Sequence, residues 1–155
     1  MTTSSQRLYK LLILLPKNRT IAGHAICLGP HGETLFNCEA LGKADGQRAI
    51  AENNVGRLST LPYGDTPLGD YRPSRVISLS PRHPRIGDLW IPLEGETGNA
   101  LSAMENGRRG LGIHAGRGDS RLVPTFGCIR LRDSDLQHIH SLAHDNQFKI
   151  SIEEI

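Results

Sequence analysis

Apolar residues along this chain fall in short runs separated by glycine and proline. The runs are LYKLLILL (8–15), TIAGHAICL (20–28), ETLFNCEAL (33–41), SRVISLS (74–80), DLWIPL (88–93), RGLGIHA (109–115), FGCIRL (126–131) and FKISI (148–152). Rich in β-branched and other apolar residues and bounded by turn signals, they predict strands. GPHG (29–32), PYGD (62–65), SPRHP (80–84) and EGETG (94–98) supply the turns, because Gly reaches positive φ without a steric cost and Pro fixes its own. The clearest hairpin joins 20–28 to 33–41 through GPHG. Two segments change period. DSDLQHIHSLAHD (133–145) places Leu136, Ile139 and Ala143 on one helical face, with Asp133 as N-cap and further acid in the first turn. GQRAIAEN (46–53) is a shorter candidate helix. The pattern predicts a mostly β fold, a β-sandwich or partly open barrel, with one or two short helices.

Length and charge narrow the function classes. A chain of 155 residues fits one domain, 1–155, large enough for a core without disulfide or metal staples. The formal charge of +2 is far from a nucleic-acid signature, and the small basic clusters at 72–75, 81–85 and 107–110 read as solvated loop charge. No segment has the length of a membrane span. LLILL (11–15) is shorter than a signal-peptide core and is closed by Pro16, Lys17 and Arg19. The chain as written therefore reads as cytoplasmic, or as exported without a cleavable signal. Cys27 and Cys38 lie in alternating segments and read as small buried hydrophobes, able to oppose each other across the hairpin.

The third cysteine is different. Cys128 follows His114 by fourteen positions through a Gly- and Pro-marked loop. A cysteine attacks as thiolate, and a neighbouring imidazole is the usual means of generating it at neutral pH. His114 ends one predicted strand and Cys128 begins the next, so the two side chains are expected near hydrogen-bonding distance, with Gly127 turning the backbone so that amides form an oxyanion hole. Arg130, two positions on, shares the face of Cys128; its guanidinium is expected to favour the thiolate and to hold a substrate carboxylate.

The segment IHAG…TFGCIRL, preceded by TPLGDY at 66–71, resembles the two signature blocks of the L,D-transpeptidase catalytic domain of the YkuD type, in the right order and covering roughly 8–152. The resemblance implies that Cys128 is the nucleophile, His114 its general base and the carbonyl of Ala115 the group that orients the imidazole. It also implies that Thr125 and Arg130 occupy the family's hydroxyl and basic positions, whereas Phe126 stands where many members have a second histidine. The implied reaction is acyl transfer on peptidoglycan stem peptides: release of D-alanine, a Cys128 thioester, and transfer to an amine without metal or organic cofactor. A wall substrate implies a periplasmic or cell-wall location. The alternatives are a peptidoglycan carboxypeptidase or amidase-type hydrolase, a secreted antibacterial effector of the same fold, and a non-catalytic wall-binding module. Residues 92–110 are expected as a loop or short helix over the groove, shielding the thioester from water together with Phe126.

The other chemistry-bearing side chains read as structural. His140 and His144 are four apart on the predicted helix but lack a third ligand. His24, His31 and His83 fall in a hairpin or turn, Asp119 in a loop, and Tyr71 and Trp90 in apolar strand contexts that suit core packing.

Overall fold

The computed structural model describes residues 8–73, 76–143 and 147–155. Its spine is β1 (Leu8–Leu15), in which alternation buries Leu11, Ile13 and Leu15 on one face. β2 (Gly23–Leu28) runs antiparallel to one edge of β1, and β3 (Thr34–Ala40) runs antiparallel to β2. The predicted hairpin thus forms, its turn closed by the Gly29 amide donating to the Glu33 carbonyl at 2.8 Å. β9 (Gln147–Glu154) lies parallel to the other edge of β1, setting Ile150 beside Leu11 and Ile152 beside Ile13.

The sheet continues from β9 through β4 (Gly69–Pro73), β6 (Gly87–Gly95), β7 (Gly112–His114) and β8 (Ile129–Arg130), while β5 (Ile77–His83) pairs with β6 off this path. Leu41, just past β3, exchanges backbone hydrogen bonds of 3.0 and 2.9 Å with Arg130 of β8. The two ends of the sheet therefore meet in a mostly β, nearly closed mixed barrel. Its wall contributes Leu89, Ile91, Leu93, Ile113 and Ile129 to the core, and three helices pack around it: α1 (Gly46–Ala51), α2 (Gly98–Glu105) and α3 (Asp133–Ala143). Among the described residues no helix is long and apolar enough to cross a membrane.

Several local expectations change. β7 and β8 are shorter than their apolar runs, and Cys128 falls just before β8 instead of beginning it, because Gly110 at φ 79° and Gly127 at φ 121° leave the extended region. The 80–84 turn moves to 84–86, since β5 extends to His83. Cys27 pairs in register with Phe36, and Cys38 with Ala25, so the two thiols do not sit directly opposite each other and both are free. α1 is capped by Asp45, whose carboxylate accepts from the Arg48 amide at 3.0 Å.

In α3 the two aspartates exchange the expected roles. The Ser134 amide donates to Asp119 at 3.0 Å, so Asp119 satisfies the helix start from the preceding loop. Asp133 instead accepts from the Gly116 and Gly118 amides and pairs with Arg82, tying down the loop beyond β7. Leu136 and Ile139 are buried as expected; His144 lies outside the described residues.

Candidate active site

His114 sits at the end of β7, 5% exposed, with Arg130 of the parallel β8 beside it and Trp90 of β6 opposite. Its Nδ1 lies 3.0 Å from the carbonyl oxygen of Ala115. A carbonyl only accepts, so Nδ1 carries the proton and Nε2 is left as the basic nitrogen. The indole of Trp90, centred 5.7 Å away and tilted by 32°, backs the imidazole. Trp90 thus lines the site instead of only filling the core, whereas Tyr71 is buried and donates to the Pro67 carbonyl at 2.6 Å.

Cys128 immediately precedes β8 and keeps partial exposure. It shares a cavity of about 670 Å³ with His114, lined also by Tyr63, His83, Trp90, Thr125, Phe126 and several arginines. This is the size of an ordinary small-ligand site. The thiol does not hydrogen-bond the imidazole in this state; it donates to the Gly110 carbonyl at 3.3 Å. Protein packed around the sulfur pushes the thiol up to about 11, opposed by a backbone hydrogen bond from Gly112 and by the charges of Arg108 and Arg130. Burial pushes His114 down to about 4, with Arg130 and His83 adding repulsion, despite the hydrogen bond to Ala115. At neutral pH the site therefore holds a neutral thiol and a neutral imidazole, a base ready to take the proton as the sulfur attacks.

The residues around the thiol hold its turn. Thr125 Oγ1 accepts from the Gly127 amide at 2.9 Å and donates to the Cys128 carbonyl at 2.8 Å. The Gly127 amide is therefore occupied and unavailable to an oxyanion, contrary to the expectation from sequence. Thr66 donates to the Gly127 carbonyl at 2.6 Å, so the two sequence blocks, TPLGDY and TFGCIRL, meet directly behind the nucleophile. Arg130 also departs from expectation. Nε donates to the Val123 carbonyl at 2.8 Å and Nη1 to the carbonyls of Arg85 and Ala115, so this guanidinium ties the 84–86 turn to the loop between β7 and β8 and is not aimed at a substrate carboxylate. Its charge still bears on both reacting groups.

Arg108, which sequence reading set aside as loop charge, is 3% exposed and donates to the carbonyls of Ser59, Gly64 and Asp65. It fastens the 59–65 loop against Gly127, where an added Cβ would collide with Nη2. Gly127→Ala should therefore destabilise the fold by about 2 kcal/mol or more, since the positive φ and the clash act together. Urea unfolding of the variant checks this. Only the spacing GRRG at 107–110 marked Arg108 in the sequence.

Phe126 lines the cavity mouth at 42% exposure, its ring 5.9 Å from that of Tyr63 and within 5.2 and 5.3 Å of the guanidinium groups of Arg48 and Arg85. The segment expected to cover the groove divides. α2 lies against β4 and β6 with Ala100 and Ala103 fully buried, so it belongs to the barrel wall, and only Gly107–Gly110 reaches the cavity.

No family model and no curated protein matches the chain. Among solved structures it is similar to the helical cell shape determining protein Pgp2 from Campylobacter jejuni, at 18% identity and a TM-score of 0.61 over 94% of this chain and 48% of that one. A point mutant of Pgp2 aligns with the same identity and score over 98% and 52%. Bd1075 from Bdellovibrio bacteriovorus aligns at 17% identity and a TM-score of 0.59, covering 97% of this chain and 49% of that one. The likeness is one of fold, and the chain spans about half the length of these proteins.

Proposed function

We propose that the protein is a cysteine-dependent hydrolase of peptidoglycan stem peptides, an L,D-carboxypeptidase acting outside the cytoplasmic membrane. The observation that carries the reading is the convergence of Cys128 and His114 on one cavity, with the Nδ1 proton of the imidazole fixed on the Ala115 carbonyl. Cys128 Sγ attacks the carbonyl carbon between the L-centre of the diamino acid and the terminal D-alanine while His114 Nε2 takes the thiol proton. His114 returns that proton to the leaving amine, releasing D-alanine and leaving a thioester. Water then attacks the thioester carbonyl carbon as the same imidazole takes its proton; the C–S bond breaks, the tripeptide leaves with a new carboxyl group, and the imidazolium returns the proton to Cys128 Sγ.

Water is favoured over an amine acceptor because the segment expected to cover the groove contributes only Gly107–Gly110 to the cavity, α2 being packed into the barrel wall. A transferase has to shield its acyl-enzyme from a far more concentrated competitor. The substrate class has two supports. The cysteine and histidine blocks resemble those of L,D-transpeptidases, and the fold is similar to that of a cell shape determining protein, shape in bacteria being held by the wall.

Incubation of the purified protein with a tetrapeptide stem in ¹⁸O-water, with an amine acceptor in excess, separates the outcomes by mass spectrometry. The expected products are D-alanine and a tripeptide carrying ¹⁸O. A cross-linked or exchanged peptide as main product would overturn hydrolysis in favour of transfer.

A further inference from the structure

The cavity wall carries five arginines, Arg85, Arg108, Arg109, Arg117 and Arg130, and one acid, Asp45. Asp45 is engaged as the α1 cap. Elsewhere Arg19, Arg48, Arg57, Arg72, Arg82 and Arg132 each reach a carboxylate. Among the described residues none of the five cavity arginines does. Three of them are satisfied by carbonyl oxygens: Arg108 and Arg130 as described above, and Arg109 by those of Met104 and Arg108. That leaves Arg85 and Arg117, both exposed, whose side chains make no hydrogen bond among the described residues.

The backbone holds this pair on one wall. Gly87 and Gly116 allow the 84–86 turn to press against the loop after β7 so closely that a Cβ on Gly116 would strike the Arg85 carbonyl. Arg130 bonds that same carbonyl and feels the charge of Arg117. The Phe126 ring lies under the Arg85 guanidinium, which limits its orientations and leaves its edge free for hydrogen bonding. Acids are present nearby, but Arg82, three residues earlier, takes both Asp88 and Asp133. Two guanidinium groups on one wall, with no carboxylate partner among the described residues, suit an anionic ligand.

We propose that Arg85 and Arg117 form a subsite for a free carboxylate of the peptide bound at Cys128, and so select the substrate. The proposal rests on the reading of Cys128 as the nucleophile acting on a stem peptide. Two carboxylates of such a peptide have the required chemistry, the C-terminal one and the side-chain one of the diamino diacid.

The test measures binding separately from turnover. Cys128→Ala protein, which holds the tetrapeptide uncleaved, is titrated by calorimetry with the free peptide, its C-terminal amide and its side-chain amide. Arg85→Gln and Arg117→Gln in that background should each weaken binding of the free peptide about tenfold. The amide that removes the recognised carboxylate should bind as weakly as these variants and be insensitive to both substitutions, which identifies the source. Kd values within about twofold of the parent for both variants would overturn the subsite, as would failure of the parent to bind any of the peptides. The two proposals fail separately. If the arginines govern binding but Cys128-intact protein releases no D-alanine, the hydrolase reading falls and the subsite stands; if release proceeds with kcat/KM unchanged in both arginine variants, the reverse holds.

Discussion

His114→Gln lowers kcat for D-alanine release by about 10²- to 10⁴-fold, the range a positioned general base contributes. Glutamine keeps a polar group of similar reach but cannot accept a proton at neutral pH, so the loss reports base catalysis and not packing. The pH dependence carries the same signature. Because burial holds His114 down to about 4 and the Cys128 thiol up to about 11, activity stays flat through neutrality and falls only as pH drops to about 4, where the imidazole becomes protonated. His114→Gln removes that acidic limb from the residual rate. Stability follows the same titration. The unfolded chain takes up a proton below about 6.5, which the folded imidazole resists until about 4, so about 3 kcal/mol present at neutral pH is lost as pH falls through that window. Urea midpoints measured between pH 7 and 4 should shift less in His114→Gln than in the wild type.

Cys128→Ser abolishes release to a greater degree, by about 10⁴-fold or more in kcat, because the nucleophile is the one group without which the remaining machinery has nothing to activate. An imidazole that protonates near 4 is a weak base for a hydroxyl, whose proton is harder to remove than that of a thiol. The fold should be untouched, since the thiol donates to the Gly110 carbonyl and a hydroxyl can make the same bond. Circular dichroism and thermal unfolding of the variant, set beside its turnover, check both halves of the prediction.

Much of the fold was legible because it rests on local signals. The alternation of Leu11, Ile13 and Leu15, the GPHG turn and the apolar face of α3 each reflect one element and its period. The pairing of β1 with β9 joins the two ends of the chain, and the closure through Leu41 and Arg130 depends on backbone contacts across the barrel; no periodicity encodes either. The exchange of roles between Asp119 and Asp133 depends likewise on a loop folding back onto a helix start.

In the candidate site, the meeting of Cys128 and His114 at one cavity was legible from their spacing, and the contact of the imidazole with the Ala115 carbonyl from the resemblance. The partners that hold them were not. Arg108 and Thr66 reach Gly127 from 19 and 61 positions away in the chain, and a charge in a glycine-flanked cluster looks the same in sequence whether it is solvated or buried against carbonyls. For Arg130 the sequence placed the charge correctly, but its hydrogen bonds go to Val123, Arg85 and Ala115. The expected cover over the groove failed because small residues at Ala100 and Ala103 let α2 pack closely on the sheet. An alanine pair gives little sign of that in an otherwise polar segment.

If Cys128 carries the acyl group and His114 activates it, an acyl-enzyme accumulates before water releases the tripeptide. The most direct measurement is the intact mass of protein quenched in acid within milliseconds of mixing with a tetrapeptide stem, followed by peptide mapping. The expected result is a transient tripeptidyl adduct confined to the peptide containing Cys128, absent from Cys128→Ala and slow to form in His114→Gln. D-alanine release by wild-type protein without any adduct, or release that persists in Cys128→Ala, would contradict it.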